Sequence, residues 1–310
     1  MEENNQMKKK GMARNGFVVY AVGVIDEMER GGRYGMAQAY RNSVKSLVQF
    51  IGSQRVPFQL FRLEMLKAYE GWLLQEGCCE NTVHYYLRNL RALYNKAVKE
   101  KVIRPRMNPF IGISTEAMPT RKRSLPRKWL KRIKNLELEK SSSLAMSRDM
   151  FLFSFYACGM GFADMVNLEH ARIEHEIICY ERIKTGRQIS FFAESPLQEI
   201  IERYRTDSRY VWPVLSDDAD DAENYKHYRS ALVNFNRHLK KIAEMADITE
   251  SLSSYMARHS WATAARNKLM PTAVISSYLG HASERTTQIY LDSFDEGVMR
   301  RLNHKVINLE

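Results

Sequence analysis

The chain has 310 residues, enough for two domains, and its 45% hydrophobic and 27% charged residues are typical of a folded globular protein. The 47 Lys and Arg against 36 Asp and Glu give a net charge of +11, which indicates a polyanionic partner such as nucleic acid. No apolar run approaches the roughly 20 residues of a membrane helix, and the polar, basic stretch from Met1 to Lys10 is unlike a secretory signal. We therefore expect a soluble intracellular protein that is not associated with a membrane.

The basic excess is uneven along the chain. Residues 1–115 hold 18 basic and 10 acidic residues, whereas residues 116–310 hold 29 and 26. The first third of the chain is therefore the expected electrostatic contact with a polyanion.

The four cysteines form neither a disulfide framework nor a metal-binding pattern. Cys78 and Cys79 are adjacent, and Cys158 and Cys179 are isolated, without a second C-x-x-C or a His pair. We expect free thiols and no zinc site formed by these cysteines.

The first half of the chain is predicted to be helical. Residues 1–15 form a basic tail, and residues 16–110 show apolar positions at three- and four-residue spacing, which predicts a helical bundle. Asn81 is the expected N-cap of a helix whose buried stripe includes Val83 and Leu87.

Residues 111–123 are predicted to link this bundle to a second domain. The segment follows Asn108-Pro109 and ends in a basic run of Arg121, Lys122 and Arg123. Such a run is either a solvated face or a phosphate clamp, and the sequence leaves both interpretations open.

Residues 124–310 mix helices with a small β structure, so the fold class is mainly α with a small sheet or hairpin. An apolar helical stretch over residues 150–168 is interrupted by glycines, and residues 177–184 and 187–192 are predicted strands joined in a hairpin at Thr185-Gly186. Helical periodicity returns at 224–246 and again from about residue 253.

The most informative motif lies near the C-terminus. Arg258 is followed by Leu279-Gly280-His281 and then by Tyr290, nine residues after the histidine. In order and spacing these elements resemble the signature of the tyrosine recombinases, the phage integrase family of site-specific DNA strand-exchange enzymes. Upstream, Asn81-Thr-Val and Asn108-Pro-Phe are similar to the helical core-binding domain of Bacteroidetes-type members, so the resemblance covers the chain from about residue 16 onward.

The motif residues suit this chemistry. Breaking DNA without metal or water requires a protein nucleophile that preserves the phosphodiester energy in a covalent link, and the hydroxyl of Tyr290 is suited to this. Arg258 and His281 are the candidate donors to the negative charge of the transition state. The resemblance implies a lysine in a β-hairpin as the general acid for the leaving 5′-oxygen, and Lys184 lies in the predicted hairpin.

The sequence departs from the family pattern at two positions. Tyr255 replaces the His of H-x-x-R; its phenol donates a hydrogen bond but is a poor proton shuttle at neutral pH, so phosphate contact and simple packing both stay open. The family's other arginine is also missing, because its usual slot is Gly161 and a variant slot falls at Cys158. Asp164 matches the acidic residue that would orient it, and the loss predicts reduced activity.

A substitute guanidinium is predicted in the hairpin. Alternate side chains of a strand share a face, so Arg182 is expected to point the same way as Lys184 and to reach the same phosphate. Arg172 and Arg187 are the next candidates.

The resemblance therefore implies a site-specific recombinase that clamps double-stranded DNA and acts as a homo-tetramer on it, with host DNA-bending or directionality factors as further partners. It also implies a protein of the bacterial cytoplasm, associated with the nucleoid, that needs no metal, nucleotide or other cofactor. The amphipathic segment 295–309 is a predicted tail helix that packs either on a neighbouring protomer or on its own domain. The expected DNA contacts are the basic residues Arg88, Arg91, Lys96, Arg121, Lys122 and Arg123.

Two alternatives stay open at this stage. One is a catalytically weakened DNA-binding protein on a recombinase scaffold, for which the missing arginine is the argument. The other is a topoisomerase-like enzyme that nicks and reseals one duplex.

Overall fold

The computed structural model of the chain describes residues 16–116, 118 and 124–290, with side chains as far as residue 288. These residues fall into two compact units that divide at Thr120 and Arg121. The N-terminal tail 1–15, the basic run Arg121 to Arg123 and the predicted tail helix 295–309 lie outside the described residues.

The first unit is the predicted helical bundle, and an aromatic core holds it together. Phe17, Phe58 and Phe61 are at least 94% buried, and Phe17 packs on Phe61 with ring centroids 4.6 Å apart. Each helix turns an apolar face to this core, so burial rather than helix propensity fixes the bundle. Its helices are α1 (Phe17–Arg30), α2 (Tyr34–Ile51), a 3-10 turn (Phe58–Leu60), α3 (Leu63–Gln75) and α4 (Glu80–Lys99).

Helix α4 begins earlier than the sequence suggests. Val83 and Leu87 are buried as predicted, but the helix starts at Glu80 after Cys79, so the prediction of Asn81 as the N-cap is wrong. The Asn81 side-chain amide instead forms two hydrogen bonds with the backbone of Met118. Its Nδ2 donates to the Met118 carbonyl oxygen at 3.1 Å, and its Oδ1 accepts from the Met118 N–H at 2.7 Å.

Further polar side chains of α4 hold the same segment. Arg88 Nε donates to the Thr115 carbonyl at 3.0 Å, and His84 Nδ1 lies 2.5 Å from the Glu116 carbonyl. Ile113 is buried in the core of the first unit. The first half of the predicted linker therefore packs along α4.

The second unit is mainly helical around a small sheet, so the predicted fold class is confirmed. Its helices are α5 (Arg127–Lys134), α6 (Ser143–Tyr156), α7 (Phe162–Val166), α8 (Ser195–Arg203), α9 (Asp221–Met245), α10 (Met256–Asn267), α11 (Thr272–Leu279) and α12 (Glu284–Tyr290). Its strands are β1 (Ile173–Glu174), β2 (Ile177–Glu181) and β3 (Gln188–Phe192), after a 3-10 turn at His170–Arg172. None of the described helices is both long and apolar enough to cross a bilayer.

Helix α6 is the centre of the second unit. Met150, Phe151, Leu152 and Phe153 are consecutive and all buried, which explains why this stretch is apolar without a polar face. The Ser142 hydroxyl caps the helix by accepting from the Ala145 N–H at 3.1 Å.

The three strands form one antiparallel sheet in the order β1-β2-β3, with Cys179 opposite Ser190. The predicted hairpin is present, but the predicted strand bounds are wrong. The first strand was expected over 177–184 and the second from 187, whereas β2 ends at Glu181 and β3 begins at Gln188. The residues between them form a turn in which the Gly186 N–H donates to the Arg182 carbonyl at 2.8 Å. Gly186 has a φ of +64°, which a glycine adopts without strain.

Candidate active site

Four side chains from four separate segments of the second unit meet beside the start of α10. Asp164 comes from α7, Arg182 from the β2–β3 turn, Arg258 from the first turn of α10 and His281 from the loop after α11. Each is at most 7% exposed, although all four are ionisable. Buried ionisable groups are costly without partners, so their contacts define the site.

Arg258 is fixed by backbone carbonyls. It is 1% exposed, donates Nη1 to the Gly159 carbonyl at 2.7 Å, and donates Nη2 to the Leu279 carbonyl. Gly159 has a φ of +77°, and a Cβ there would lie 3.1 Å from Arg258 Cα. Only glycine therefore lets the α6–α7 loop approach this arginine closely.

Arg182 lies next to Arg258. Its Nη1 donates to the carbonyls of Leu279 at 2.6 Å and Gly280 at 2.8 Å. Both arginines thus donate to the Leu279 oxygen, which places the two donor nitrogens no more than about 6 Å apart, since each hydrogen bond spans about 3 Å. Gly280 has a φ of +58°, and a Cβ there would lie 2.8 Å from Arg182 Cδ.

The predicted reason for the position of Arg182 is wrong, because Arg182 follows the end of β2 and Lys184 lies in the turn. Arg182 is 6% exposed whereas Lys184 is exposed, so the two do not share a strand face. The turn itself is docked on the loop after α11: Thr185 Oγ1 donates to the Gly280 carbonyl at 2.9 Å, and Arg187 Nη2 donates to the Ala282 carbonyl at 2.9 Å. Docking of the turn, and not strand alternation, brings Arg182 into the site.

Asp164 faces Arg182. Its Oδ2 lies 4.0 Å from Arg182 Nε, and its Oδ1 accepts from the Ile183 N–H at 3.0 Å. Burial raises the pKa of Asp164 above its usual range, and the Ile183 hydrogen bond and the charge of Arg182 oppose this shift. The carboxylate therefore has an arginine partner even though Gly161 and Cys158 supply none.

The two other arginines considered as substitutes are placed differently. Arg172 is exposed at the end of the 3-10 turn before β1, and the Arg187 guanidinium bonds the Ala282 backbone from an exposed position.

His281 is held on both sides of its ring. Its Nε2 lies 3.4 Å from Arg258 Nη2, and its Nδ1 lies 2.8 Å from Thr287 Oγ1. Burial, followed by the charges of Arg258, Arg182 and Lys184, lowers the pKa of His281 to about 4. The imidazole of this structure is therefore neutral at neutral pH, and Lys184 lies near enough to act on it.

The cluster carries an excess of buried positive charge. Burial and then the neighbouring charge of Arg258 lower the pKa of Arg182, although guanidinium groups stay protonated at neutral pH. Two guanidinium groups thus share Asp164, whose own pKa is raised. A buried group of this kind is suited to binding an anion with delocalised charge, such as a phosphodiester.

The structure describes the two candidate site tyrosines, Tyr255 and Tyr290, to different extents. Tyr255 immediately precedes α10, is 45% exposed, and lies with its ring edge-on to His259 at 5.1 Å. Its phenol interacts electrostatically with Arg182. The backbone of Tyr290 ends α12, and its side chain lies outside the described part of the chain.

Sequence reasoning missed two residues of the site. Thr287 is fully buried against His281, and the available signal was its spacing of three residues before Tyr290, which puts both on neighbouring positions of one helix. Gly159 is one of the glycines that interrupt the apolar stretch 150–168, and its close approach to Arg258 has no signal in a single sequence.

Three of the six basic residues expected to contact DNA lie among the described residues, and each has a partner within the first unit. Arg88 donates to the Thr115 backbone, Arg91 Nη1 donates to Thr115 Oγ1 at 3.3 Å, and Lys96 pairs with Glu100 at 2.9 Å. Contact of these three with DNA stays a prediction.

Across the described residues, no three His, Cys, Asp or Glu side chains come together as a metal-binding group.

The second unit thus combines a mainly helical fold with a buried cluster of two arginines, a carboxyl group and a histidine. The model of the phage integrase family matches residues 125–296, more than half of the chain, and the model of the phage integrase SAM-like domain matches residues 16–113. The chain belongs to the phage integrase family.

Curated relatives include the tyrosine recombinase XerC of Listeria monocytogenes serotype 4b (strain F2365), 24% identical over 275 residues, which cover 84% of this chain and 88% of the relative. The tyrosine recombinase XerD of Vibrio cholerae serotype O1 (strain ATCC 39315 / El Tor Inaba N16961) is 23% identical over 274 residues, which cover 84% and 87%.

Solved structures share the fold at low identity. XerH site-specific recombinase bound to a palindromic difH substrate has a TM-score of 0.61 at 16% identity, covering 93% of this chain and 84% of that chain. A lambda integrase (75-356) dimer bound to a COC' core site has a TM-score of 0.59 at 14% identity, covering 85% and 92%.

Proposed function

We propose that the protein is a site-specific DNA recombinase that cuts and rejoins DNA through a 3′-phosphotyrosyl intermediate. The observation that carries the proposal is the convergence of Arg182 and Arg258 on one carbonyl beside His281, in a chain of the phage integrase family. The names of the curated relatives support the reaction class, because they are tyrosine recombinases.

In the proposed reaction, the Tyr290 phenolic oxygen attacks the scissile phosphorus. A bond forms between this oxygen and phosphorus, the bond from phosphorus to the 5′-oxygen breaks, and the phenolic proton passes to water. Lys184 is the proposed general acid that protonates the leaving 5′-oxygen, and the reverse sequence rejoins the strands. Arg182 and Arg258 are the proposed donors to the non-bridging oxygens, and His281 joins them through Nε2 once the negative charge of the bound phosphate protonates its ring.

Arg182 is the proposed substitute for the arginine missing at Gly161. Its support is geometric: it is buried beside Arg258 and faces Asp164, the acidic residue that would orient the usual arginine. We therefore propose that activity is carried by a relocated guanidinium and is not lost with the usual one. Tyr255 is proposed to contact the phosphate or to support Arg182, and not to transfer a proton.

The proposed substrate is double-stranded DNA, and its support is the net charge of +11 together with relatives of known structure that are bound to DNA. Exchange between two duplexes requires four nucleophiles, so the proposed active form is a tetramer on DNA, with host DNA-bending or directionality factors as additional partners. Phosphate contacts would make binding strongly salt-dependent.

Covalent trapping tests the function. Wild-type and Tyr290→Phe protein are incubated with nicked duplexes from the DNA that flanks the gene, and the products are separated under denaturing conditions. We expect an SDS-resistant protein–DNA adduct with the wild type and none with Tyr290→Phe, because the variant lacks the attacking oxygen.

Two other outcomes have defined meanings. Salt-sensitive binding without any adduct from the wild type would replace the proposal with a DNA-binding role on a recombinase scaffold. Relaxation of a supercoiled plasmid that lacks the target site would replace site-specific exchange with a topoisomerase-like reaction.

A further inference from the structure

A hydrogen bond between Thr287 and His281 joins the site to the helix that carries the tyrosine. Thr287 is 0% exposed, its Oγ1 lies 2.8 Å from His281 Nδ1, and it is on α12 three residues before Tyr290. The proposed mechanism gives this hydroxyl no role. The catalytic consequence inferred for it rests on that proposed function.

The partners of the two ring nitrogens decide which of them carries the proton. A guanidinium only donates hydrogen bonds, so the Arg258 nitrogen 3.4 Å from Nε2 requires an acceptor there in the neutral ring. The proton of the neutral imidazole is then on Nδ1, and the Thr287 hydroxyl is its acceptor. The hydroxyl thus satisfies a buried donor and fixes the ring plane.

Position on α12 extends the consequence to the nucleophile. Residues three apart on a helix are neighbours on its surface, so Thr287 and Tyr290 lie on adjacent positions of one face. A hydrogen bond at Thr287 therefore orients the phosphate-facing histidine and holds the tyrosine helix against the site at the same time. The exposed Thr286, whose Oγ1 lies 3.3 Å from Ser283 Oγ, makes no such link.

We propose that Thr287 is a positioning residue. Its buried hydroxyl holds the His281 ring with Nε2 toward Arg258, and it fixes the position of the Tyr290 helix beside the phosphate site. It touches no reacting atom in this proposal and acts through His281. A hydroxyl is required at this position, whereas the methyl group is not.

Three full-length variants test the proposal. Thr287→Val removes the hydroxyl at nearly constant volume, Thr287→Ser keeps it, and Thr286→Val is the matched control on the same helix. We expect adduct formation on nicked DNA to slow about tenfold to a hundredfold in Thr287→Val, as for the loss of groups that orient a reactive imidazole. DNA affinity is expected to be unchanged, and the other two variants are expected within about threefold of the wild type.

A second readout does not depend on catalysis. In protein with ¹⁵N-labelled histidine, the His281 signal is assigned by its absence in His281→Gln, and its shifts report the tautomer. We expect Nδ1–H in the wild type and in Thr287→Ser, and a mixed or displaced signal in Thr287→Val. Thermal melting of each variant separates these changes from loss of the fold.

The outcomes divide cleanly. A Thr287→Val protein that cleaves at the wild-type rate with an unchanged His281 signal would overturn the proposal, as would an Nε2–H ring in the wild type. If no wild-type adduct forms on any substrate, the proposed function fails, while the tautomer comparison still decides whether Thr287 sets the ring.

Discussion

Replacing Arg182 with Ala is the sharpest test of the site, because it separates catalysis from folding. The side chain is proposed to supply one donor to the transition state, and loss of one such preorganised donor costs about 10²–10³ in rate, or about 2.7–4 kcal/mol. We expect the rate of adduct formation by Arg182→Ala to fall by about this factor at saturating DNA.

The expected effect on stability combines three changes. Arg182 loses two hydrogen bonds from a charged donor, to Leu279 and Gly280, worth about 1.5–3 kcal/mol each. Its removal also ends the attraction to Asp164, 4.0 Å away, and relieves repulsion from Arg258; at an effective dielectric constant of about 20 each is about 3–4 kcal/mol, so the two nearly cancel. The net loss is therefore about that of the two hydrogen bonds, about 3–6 kcal/mol, which lowers Tm by about 6–24 °C in a unit of this size.

The assay is single-turnover adduct formation on nicked DNA, with melting curves for each variant. Arg182→Ala combined with Asp164→Asn removes the carboxylate left without its arginine, so any rate loss in the pair is not due to that buried charge. Arg182→Ala combined with Gly161→Arg returns a guanidinium at the usual slot, where a φ of −70° accepts any L residue. We expect this pair to recover part of the rate.

Cleavage by Arg182→Ala at the wild-type rate would refute the assignment of Arg182 as the substitute arginine. Loss of the rate together with loss of the cooperative melting transition would instead show that Arg182 holds the loop after α11 and would leave its chemical role unsupported. The Gly161→Arg pair distinguishes a chemical from a purely structural contribution, because a guanidinium there restores charge without restoring the bonds to Leu279 and Gly280.

Three further predictions follow from the same contacts. Gly280→Ala should unfold more easily and cleave slowly, because its Cβ would lie 2.8 Å from Arg182 Cδ at a φ of +58°; melting and trapping measure both. His281 has a folded-state pKa of about 4, below its unfolded value near 6.5, so the unfolded chain binds more protons between these two pH values. The contribution of His281 to stability therefore rises with pH from about 4 to about 6.5, and His281→Gln should flatten the change of Tm over this range. Inorganic sulfate should raise the Tm of wild type more than that of Arg182→Ala, because the buried cluster is proposed to bind an anion.

Each of these has a result that would contradict it. Gly280→Ala melting and cleaving like the wild type would show that the loop relaxes without disturbing Arg182. Equal pH dependence of Tm in wild type and His281→Gln would place the His281 pKa near its ordinary value. An equal sulfate effect in both proteins would reduce it to the general exclusion of this salt from protein surfaces.

The sequence predicted the fold class and most of the helices, because apolar periodicity reports burial directly. It predicted Arg258, His281 and Arg182 as site residues, and the structure brings all three together. The helix start at Glu80 was missed because asparagine is a favoured N-cap residue. The Asn81 side chain instead hydrogen-bonds the distant backbone of Met118. Side chains that bond a distant segment leave no local pattern.

The reasoning for Arg182 was wrong even though its position was predicted. Strand alternation assumes that residues 182–184 are extended, whereas Thr185 bonds the Gly280 carbonyl and the turn folds onto the loop after α11. This docking depends on residues almost a hundred positions apart, so neither propensity nor periodicity detects it. Thr287 was missed for a similar reason, since a buried hydroxyl reads as an ordinary helix residue until its partner is known.

The carbonyls of Leu279 and Gly280 determine when the conformational entropy of the arginine side chains is lost. Fixing an arginine costs about 1.5–2 kcal/mol in rotamer freedom. Because backbone oxygens already hold Arg182 and Arg258 in the chain by itself, this cost is incurred during folding and not on encounter with DNA. Both guanidinium groups are therefore preorganised, and the free energy of DNA contact remains available for distorting and exchanging strands.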